Sequence, residues 1–192
     1  MKRICVFCGS TFGAKQEYKK AAQELGQLMA KKNIGLVYGG GNVGLMGEIA
    51  NAVLKADGNV IGVIPNFMVE KELAHRQLTE LKVVNSMHER KALMAELSDG
   101  FIALSGGIGT FEELFEILTW RQLGIHNKPC GILNVANYYD KLIDFINYSV
   151  EEEFVKSETR DLIFVESEST KLLERFLNYP TKDQETLDLS KT

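Results

Sequence analysis

Short apolar runs alternate along this chain with segments of helical periodicity, and this alternation restricts the possible folds more than any other feature. Seven mainly apolar runs, each bounded by turn residues, are predicted to be strands: residues 4–8, 35–38, 60–64, 81–85, 101–104, 130–135 and 162–165. In most segments between them, apolar residues recur every three or four positions, as in amphipathic helices. The pattern predicts an α/β protein with a Rossmann-like, doubly wound parallel sheet of about seven strands and helices on both faces.

The length and composition are those of one globular domain. The chain has 192 residues, of which 45% are hydrophobic, enough for a sizeable core. Beyond Tyr179 the residues are polar and charged and form no apolar face. We therefore expect a single α/β domain over residues 1–179 and a flexible tail over residues 180–192.

Charge and cysteine content argue against several classes of protein. The net charge of −4 and the lack of a run rich in lysine and arginine are unlike a nucleic-acid-binding surface. No apolar segment approaches membrane-spanning length and no signal peptide is visible, so no membrane partner is expected. Three cysteines, an odd number, fit a reducing compartment, and we predict a cytoplasmic protein.

Neither the cysteines nor the histidines form a recognisable redox or metal motif. Cys5 and Cys8 make a C-x-x-C, but residues three apart on a strand point to opposite faces, so we expect two buried structural thiols. His75, His88 and His126 lack the spacing of metal ligands. No metal site and no cofactor are therefore predicted.

The stretch S-G-G-I-G-T-F-E-E at residues 105–113 has the composition of an anion-binding turn. It follows the predicted strand 101–104 and precedes a helical pattern of apolar residues. Its three glycines leave backbone N–H groups free to face a ligand, and a helix N-terminus adds partial positive charge. We expect a phosphate there, with Glu113 beside it in the first helical turn. The same residues also fit a structural capping box between Thr110 and Glu113.

A second glycine-rich turn, at residues 39–47, lies between another predicted strand and helix. Its glycines satisfy the dinucleotide fingerprint G-x-G-x-x-G. That fingerprint also needs an acid roughly 20 residues later, at the end of the next strand. Here the next strand, residues 60–64, is followed by Pro65 and Asn66. The turn therefore favours the phosphate of a mononucleotide over NAD.

The segment that begins at Ser86 opens a predicted helix with two adjacent cations. Ser86 and Glu89 have the spacing of a capping box, which is a structural role. Arg90 and Lys91 then lie in the first helical turn, where positive charge is unfavourable unless an anion offsets it. The preceding residues, 67–79, have no clear period and are predicted to be a solvated loop with room for one helical turn.

All of these stretches follow predicted strands, and so does Ser10 after the first strand. In parallel sheets, ligands bind outside the carboxyl ends of the strands. We therefore expect the stretches to form one crevice for a nucleotide. Ser10, Gly40 and Gly41 are predicted to contact the substrate on this argument.

At these residues the sequence resembles the LOG (Lonely guy) family. The family pairs P-G-G-x-G-T-x-x-E with an upstream R-K dipeptide, which correspond here to residues 105–113 and to Arg90-Lys91. The G-G-G-x-x-G-L-M-G turn at residues 39–47 and the run T-W-R-Q-L-G-I-H at residues 119–126 also match. The resemblance covers nearly the whole chain.

One position departs from the family pattern, because Ser105 stands where the family has proline. Proline fixes φ at the end of the strand and has no N–H to donate. Serine can take the same conformation at an entropic cost of about 1 kcal/mol or less. The change is therefore expected to affect rigidity more than activity.

The resemblance implies an enzyme, a cytokinin riboside 5′-monophosphate phosphoribohydrolase. Such an enzyme cleaves the N-glycosidic bond of an adenosine 5′-monophosphate, plain or N6-modified, to free base and ribose 5-phosphate. By resemblance Glu113 and Arg90 are catalytic. The other residues implied to bind substrate are Glu72, Lys91, Gly106, Gly107, Ile108, Gly109, Thr110, Phe111, Glu112 and Thr119. The family also forms dimers with the site at the subunit interface, so a homodimer is expected.

Two other functions stay open at this point. One is a non-catalytic nucleotide-binding or carrier module with the same fold. The presence of both Glu113 and Arg90 argues against it. The other is an amino-acid decarboxylase, which would need a lysine joined to pyridoxal phosphate as a Schiff base. Every lysine that follows a predicted strand also fits an ordinary surface position. The sequence leaves the preferred base open.

Overall fold

The computed structural model describes residues 1–69 and 74–180, and its centre is a seven-stranded parallel sheet. The strands are β1 (Arg3–Phe7), β2 (Gly35–Tyr38), β3 (Val60–Pro65), β4 (Glu80–Val84), β5 (Phe101–Ala103), β6 (Cys130–Leu133) and β7 (Ile163–Glu166). They lie in the order β4-β3-β2-β1-β5-β6-β7, and every neighbouring pair is parallel. The predicted Rossmann-like fold is confirmed.

Helices cover both faces of the sheet. They are α1 (Gln16–Lys31), α2 (Gly44–Lys55), α3 (Asn66–Val69), α4 (Met87–Glu96), α5 (Ile108–Gln122), α6 (Asp140–Glu151), α7 (Ser157–Asp161) and α8 (Ser169–Leu177). The buried residues of α1, α2 and α8 form one core cluster with alternate strand residues such as Ile4 and Val6. Those of α4, α5 and α6 form a second cluster on the opposite face, with Phe7 and Phe101 among others.

The strand alternation also explains the two N-terminal cysteines. Cys5 belongs to one core cluster and Cys8 to the other, so their thiols lie on opposite faces of the sheet. Burial raises the pKa of both thiols, which keeps them protonated and unreactive. The prediction of two buried structural thiols is confirmed.

The sheet places one crevice at its centre. From β1 the chain builds outward through β2, β3 and β4, and then α4 carries it back to β5 on the other side of β1. Loops that leave β1 and β5 at their carboxyl ends therefore diverge, which opens a space between them. Residues 9–10 and 104–107 lie at this point.

The structure differs from the predicted elements at a few places. The helix α5 begins at Ile108, earlier than its apolar periodicity indicates. The five-residue helix α7 was not predicted, because the sequence S-E-T-R-D has no apolar face. By contrast, the helical turn for which the predicted loop 67–79 left room is present as Asn66–Val69, at the start of the loop, and residues 70–73 lie outside the described residues.

Two further expectations can be compared with the described residues only. Residues 181–192 lie outside them, so the flexible tail over residues 180–192 stays a prediction. In the described ranges 1–69 and 74–180, no helix is both long enough and apolar enough to span a bilayer.

Candidate active site

The turn at residues 105–113 ends in the open N-terminus of α5. Gly107 is the N-cap residue of this helix and no side chain caps it. The first N–H groups of a helix have no partner within the helix. In α5 the first N–H group bonded within the helix is that of Phe111, which donates to the Gly107 carbonyl at 3.1 Å. The unused N–H groups and the helix dipole together attract an anion.

This geometry contradicts the capping-box alternative. Thr110 is the third residue of α5 and lies inside the helix, so it is not an N-cap. Glu113 is the sixth residue and lies in the second turn, not in the first turn as predicted. The reason is that the glycine-rich segment Ile108–Thr110 is already helical, although glycine disfavours helix and hides the start from a propensity argument.

The glycines of this turn have two different functions. A Cβ on Gly106 would collide with the Thr110 side chain and crowd the Gly9 nitrogen, so this glycine is required by packing. A Cβ on Gly107 or Gly109 would meet no atom within 4 Å. Gly107 has φ −101°, which any residue can adopt. Packing therefore does not explain Gly107 and Gly109, and the lack of a side chain leaves the backbone accessible at both positions.

Hydrogen bonds from other elements hold the carbonyl groups at the start of the turn. The Gly9 N–H donates to the Ser105 carbonyl at 3.0 Å, and the Tyr139 hydroxyl donates to the Leu104 carbonyl at 2.6 Å. The Tyr138 hydroxyl donates to the Gly106 carbonyl. Sequence reasoning missed both tyrosines, and the available signal was their position just after the carboxyl end of a strand, β6.

Ser105 carries an unsatisfied hydroxyl. Among the buried side-chain nitrogen and oxygen atoms of the described residues, the Ser105 Oγ is the one without a hydrogen-bond partner. An unpaired buried hydroxyl costs about 1–3 kcal/mol.

We expect Ser105→Pro to stabilise the protein. The substitution removes the unpaired hydroxyl and restricts the unfolded chain, and the second effect alone contributes about 0.4–1 kcal/mol. Because the two effects together exceed about 1.4 kcal/mol, the melting temperature should rise by about 3 °C or more in thermal denaturation, with turnover unchanged. Ser105→Ala serves as the control, because it removes the hydroxyl without the proline ring. A lower melting temperature for the proline variant would contradict this account.

Arg90 is buried above the carboxyl ends of β2 and β3. Its Nε donates to the Val63 carbonyl at 3.1 Å and its Nη2 donates to the Gly39 carbonyl at 3.2 Å. A Cβ on Gly39 would collide with that guanidinium, so glycine is needed there to make room for Arg90. At least one glycine of the 39–47 turn, Gly39, therefore has a structural role, which is to leave space for the Arg90 side chain.

The rest of the 39–47 turn is tied to neighbouring segments. Gly44 has φ +56°, and a Cβ there would collide with the backbone of Ser10. The Gly40 carbonyl accepts from the His75 N–H at 2.9 Å, and the Gly41 carbonyl accepts from the Tyr38 hydroxyl at 3.1 Å. These contacts give structural reasons for the turn. Substrate contact at Ser10, Gly40 and Gly41 stays a prediction.

Glu113 faces Arg90 in a largely buried pair. The Glu113 Oε1 lies 3.9 Å from the Arg90 Nη1, and the two side chains are 12% and 8% exposed. Burial raises the pKa of Glu113 to about 7, with Arg90 opposing the shift and Glu112 adding to it. A carboxyl group with this pKa can take or give a proton near neutral pH.

Lys91 is held by two carboxylates of α5. Its Nζ lies 2.5 Å from the Glu112 Oε1 and 2.9 Å from the Glu116 Oε1. Burial alone would lower the pKa of Lys91, but the hydrogen bonds with Glu112 and Glu116 outweigh it and raise the pKa. Glu112 and Glu116 offset the charge of Lys91, and Glu113 lies opposite Arg90, so acids of the protein itself face the adjacent cations of α4.

The predicted helix cap at Ser86 is confirmed. The Ser86 Oγ accepts from the Glu89 N–H at 3.1 Å, and the Glu89 Oε2 accepts from the Asn85 N–H at 2.8 Å. The cap fixes the start of α4 and hence the direction in which Arg90 leaves the helix. Glu89 is therefore a structural residue, as its spacing indicates.

The remaining predicted site residues lie in three places. Ile108 is exposed and Phe111 is half-buried against Tyr139, both at the start of α5. Thr119 is exposed about three helical turns along α5, where its hydroxyl donates to the Phe115 carbonyl at 2.7 Å. It does not join the turn within one chain. Glu72 lies outside the described residues.

His75 and His126 have structural partners. His75, predicted to lie in a solvated loop, is buried: its Nδ1 accepts from the Gln77 N–H at 3.2 Å and its Nε2 faces the Asn51 Oδ1 at 3.1 Å. His126 makes the same pattern with the Lys128 N–H and the Ile117 carbonyl. Outside the undescribed segments, no three histidine, cysteine or acidic side chains lie close enough to hold a metal ion.

Relatives of known sequence match almost the whole chain. The sequence model of a family described as "possible lysine decarboxylase" matches residues 46–176. The chain is 51% identical over 178 residues to the Arabidopsis thaliana protein named cytokinin riboside 5′-monophosphate phosphoribohydrolase LOG1, covering 93% of this chain and 84% of that protein. It is also 51% identical over 178 residues to the Oryza sativa subsp. japonica protein named probable cytokinin riboside 5′-monophosphate phosphoribohydrolase LOGL6, covering 93% and 71%.

Among solved structures, the molybdenum cofactor carrier protein from Chlamydomonas reinhardtii matches with a TM-score of 0.70. The two are 20% identical, and the match covers 92% of this chain and 98% of that chain. Similarity at this level of identity establishes a shared fold. The 51% identity to the plant proteins extends over nearly all of this chain and therefore establishes the family as well as the fold. The chain belongs to the LOG family of cytokinin riboside 5′-monophosphate phosphoribohydrolases.

Proposed function

We propose that this protein hydrolyses the N-glycosidic bond of an adenosine 5′-monophosphate, plain or N6-modified, to release the base and ribose 5-phosphate. The observation that carries the proposal is the buried pair of Arg90, from α4, and Glu113, from α5, the helix whose N-terminus is open. An anion-binding helix end can hold the phosphate, and the pair can supply acid–base chemistry. The plant relatives at 51% identity are named for this reaction.

In the proposed reaction the first N–H groups of α5 hold the 5′-phosphate, which Gly107 and Gly109 allow to approach the backbone. As the bond from C1′ to the base breaks, its electron pair leaves with the base and the ribose gains oxocarbenium character. The Glu113 carboxylate stabilises this positive charge and takes a proton from the water that attacks C1′. The proton passes to the departing base.

Arg90 contributes by position and charge. The Val63 and Gly39 carbonyls hold its Nε and Nη2, and its Nη1 lies 3.8 Å from the Met87 Sδ and 3.9 Å from the Glu113 Oε1. A guanidinium fixed in this way can donate to a ribose hydroxyl or to the leaving base. It also keeps part of the Glu113 population ionised despite burial.

The rate of base release should fall as the pH drops below about 7, because Glu113 must be ionised to act as a base. The measurement is kcat at saturating AMP between pH 5 and 9, which reports groups in the enzyme–substrate complex. Glu113→Asp retains a carboxylate and should keep a pH dependence with a displaced midpoint. A kcat that is flat from pH 5 to 8 would rule out Glu113 as the base.

The two alternative functions fit this site less well than hydrolysis. A carrier of a nucleotide needs the open end of α5 but not a buried carboxyl group whose pKa lies near 7. A Schiff-base decarboxylase needs a free lysine amine, whereas Lys91 next to Arg90 is bound to two carboxylates that favour its charged form. Both alternatives are weaker than hydrolysis.

The proposal is tested by incubating the protein with a panel of nucleoside 5′-monophosphates and separating the released bases by chromatography. The panel contains AMP, N6-prenylated AMP and the guanine, cytosine and uracil nucleotides. We expect free adenine or its N6-modified form together with an equal amount of ribose 5-phosphate. Stoichiometric nucleotide binding without release of any base would favour the carrier instead.

We also propose that the protein forms a homodimer through α5. Ile108 and Phe115, which are 81% and 40% exposed, lie on one face of this helix with Thr119. An apolar stripe beside the site is suited to a second copy of the chain. A second copy would also bring Thr119, far along α5, within reach of a substrate, as the resemblance implies.

Phe115→Asp is expected to convert the dimer to a monomer, because a buried charge at a self-complementary interface is unpaired. Sedimentation velocity at micromolar concentration measures the change. Phe154→Asp is the matched control, since Phe154 is 86% exposed on a different part of the surface. A wild-type monomer, or the same behaviour of both variants, would contradict the proposed interface.

Three broader expectations complete the proposal. The buried thiols Cys5, Cys8 and Cys130 carry no disulfide, which supports a cytoplasmic location. The net charge of −4 supports a small-molecule substrate over nucleic acid. We retain a single nucleotide-binding domain over residues 1–179 with a C-terminal tail.

A further inference from the structure

The loop between β6 and α6 contacts the 105–113 turn, and the proposed reaction gives it no role. Within this loop Ala136 and Asn137 have φ of +51° and +60°, so the chain turns sharply before Tyr138 and Tyr139. The Asn134 side chain accepts from the Tyr139 N–H at 2.8 Å and donates to the Asp140 carboxylate at 2.6 Å. These bonds fix the loop.

The two tyrosines of this loop face the turn with their hydroxyl groups. Tyr139 is buried and donates to the Leu104 carbonyl at 2.6 Å. Tyr138 donates to the Gly106 carbonyl. Its ring stands edge-on to the rings of Tyr18 and Tyr139, with centroids 5.6 Å and 4.9 Å away. The Tyr138 ring is therefore held on both sides, and its hydroxyl has a fixed direction.

A trans peptide directs its carbonyl and its N–H to opposite sides. When Tyr138 holds the Gly106 carbonyl on one side, the Gly107 N–H of the same peptide must point to the other. The peptide between Gly106 and Gly107 joins two glycines, whose backbone dihedral angles are less restricted than those of any other pair of residues. This peptide can therefore rotate more easily than others. If it rotated, a carbonyl oxygen would face the phosphate in place of an N–H.

We propose that Tyr138 is a positioning residue for phosphate recognition, because its hydroxyl fixes the peptide that supplies the Gly107 N–H to the phosphate of the substrate. The inference rests on the proposed function and deepens it. Tyr138 itself touches neither the reacting bond nor the base. Its removal should weaken phosphate binding and leave the chemical step at saturating substrate almost unchanged.

The experiment compares Tyr138→Phe with Tyr148→Phe in the full-length protein. Phenylalanine keeps the ring contacts and removes only the hydroxyl. Tyr148 is an exposed tyrosine of α6 away from the turn, so its variant controls for loss of a phenol group. The readouts are the melting temperature, kcat and KM for AMP, and the Kd for inorganic phosphate from the shift of the Gly107 amide signal in an NMR titration.

For Tyr138→Phe we expect KM for AMP and Kd for phosphate to rise about threefold to tenfold, the range that one net hydrogen bond supplies, with kcat within twofold of wild type. Tyr148→Phe should match wild type. Equal phosphate affinity in all three proteins would overturn the inference, as would a fall in kcat at unchanged KM.

The two levels of the proposal fail in different ways. If wild type releases no base from any monophosphate, the proposed function fails, and the phosphate titration still decides the role of Tyr138. If wild type is active and Tyr138→Phe binds phosphate as tightly as wild type, only the role of Tyr138 fails. If Tyr138→Phe lowers the melting temperature by several degrees without changing phosphate affinity, the tyrosine is structural and the inference is wrong.

Discussion

Replacing Glu113 with glutamine should lower kcat for base release by about a thousandfold while AMP still binds. The amide can neither accept a proton from water nor balance an oxocarbenium ion, and general-base catalysis contributes about 10²–10⁴-fold. Glutamine keeps the size of the side chain, and the N-terminal N–H groups of α5 are unaffected. The measurement is single-turnover release of adenine, with AMP affinity obtained by calorimetry on the same preparation.

Stability provides a second, independent readout of Glu113. Its pKa rises from 4.5 to about 7 on folding, so between these values the folded state binds more protons than the unfolded state. The Glu113 contribution to the free energy of unfolding should therefore fall as the pH rises from 4.5 to 7. Burial lowers the pKa of His126 to about 4, which acts in the opposite direction in wild type and variant alike. The stability of wild type relative to Glu113→Gln should therefore be lower at pH 8 than at pH 5, as measured by urea denaturation of both proteins.

Glu24→Gln is the control for the effect of Glu113→Gln on turnover, because Glu24 lies on the surface of α1, on the opposite face of the sheet, and pairs there with Lys20. It should change neither turnover nor the pH dependence of stability. A glutamine variant at residue 113 with near-normal turnover would mean that the carboxyl group is structural. Another residue would then have to activate water.

The second large effect concerns the phosphate. If the 105–113 turn binds it, AMP should be cleaved about a thousandfold more efficiently than adenosine, although both contain the same reacting bond. About three charge-assisted hydrogen bonds, at roughly 1.5–3 kcal/mol each before losses, can supply the ~4 kcal/mol that this ratio in kcat/KM requires. Initial rates of base release with each compound give the ratio directly.

Gly107→Val should remove most of this discrimination, because a β-branched side chain occupies the space through which the phosphate reaches the backbone. The backbone angles of Gly107 present no obstacle to another residue. The effect must therefore come from the ligand. Gly107→Ala should show a smaller loss with an unchanged melting temperature, because its Cβ meets no protein atom within 4 Å.

Gly106→Ala is the contrasting variant. Its Cβ would collide with Thr110, so it should lose stability whatever the ligand. Cleavage of adenosine within about tenfold of AMP would contradict phosphate binding at the turn, as would full discrimination by Gly107→Val. The glycine-rich turns would then serve the fold alone.

The local pattern of the sequence was sufficient for most of the fold. Strands such as β2 and β3 are continuous apolar runs, as strands covered on both faces must be. The pattern was weaker where local preference and tertiary context disagree. The helix α5 starts within a glycine-rich segment, and α7 has no apolar face, so neither boundary could be read from periodicity.

The candidate site was predicted in part. The resemblance and the strand ends identified Arg90, Lys91 and Glu113, which the structure brings together from α4 and α5. Contacts between distant segments could not be predicted. The Tyr138 hydroxyl on the Gly106 carbonyl joins residues 32 positions apart, and the Arg90 guanidinium on the Gly39 carbonyl joins residues 51 apart.

By itself, the sequence determined the alternation of strands and helices, the two glycine-rich turns at strand ends, and the residue types that can bind phosphate and transfer a proton. These properties depend on neighbours in the chain. Only the tertiary structure decided that Gly39 makes room for Arg90 and that Gly107 leaves room for a ligand. It also decided that the pKa of Glu113 lies near 7, because burial and nearby charge depend on which elements pack together across the sheet.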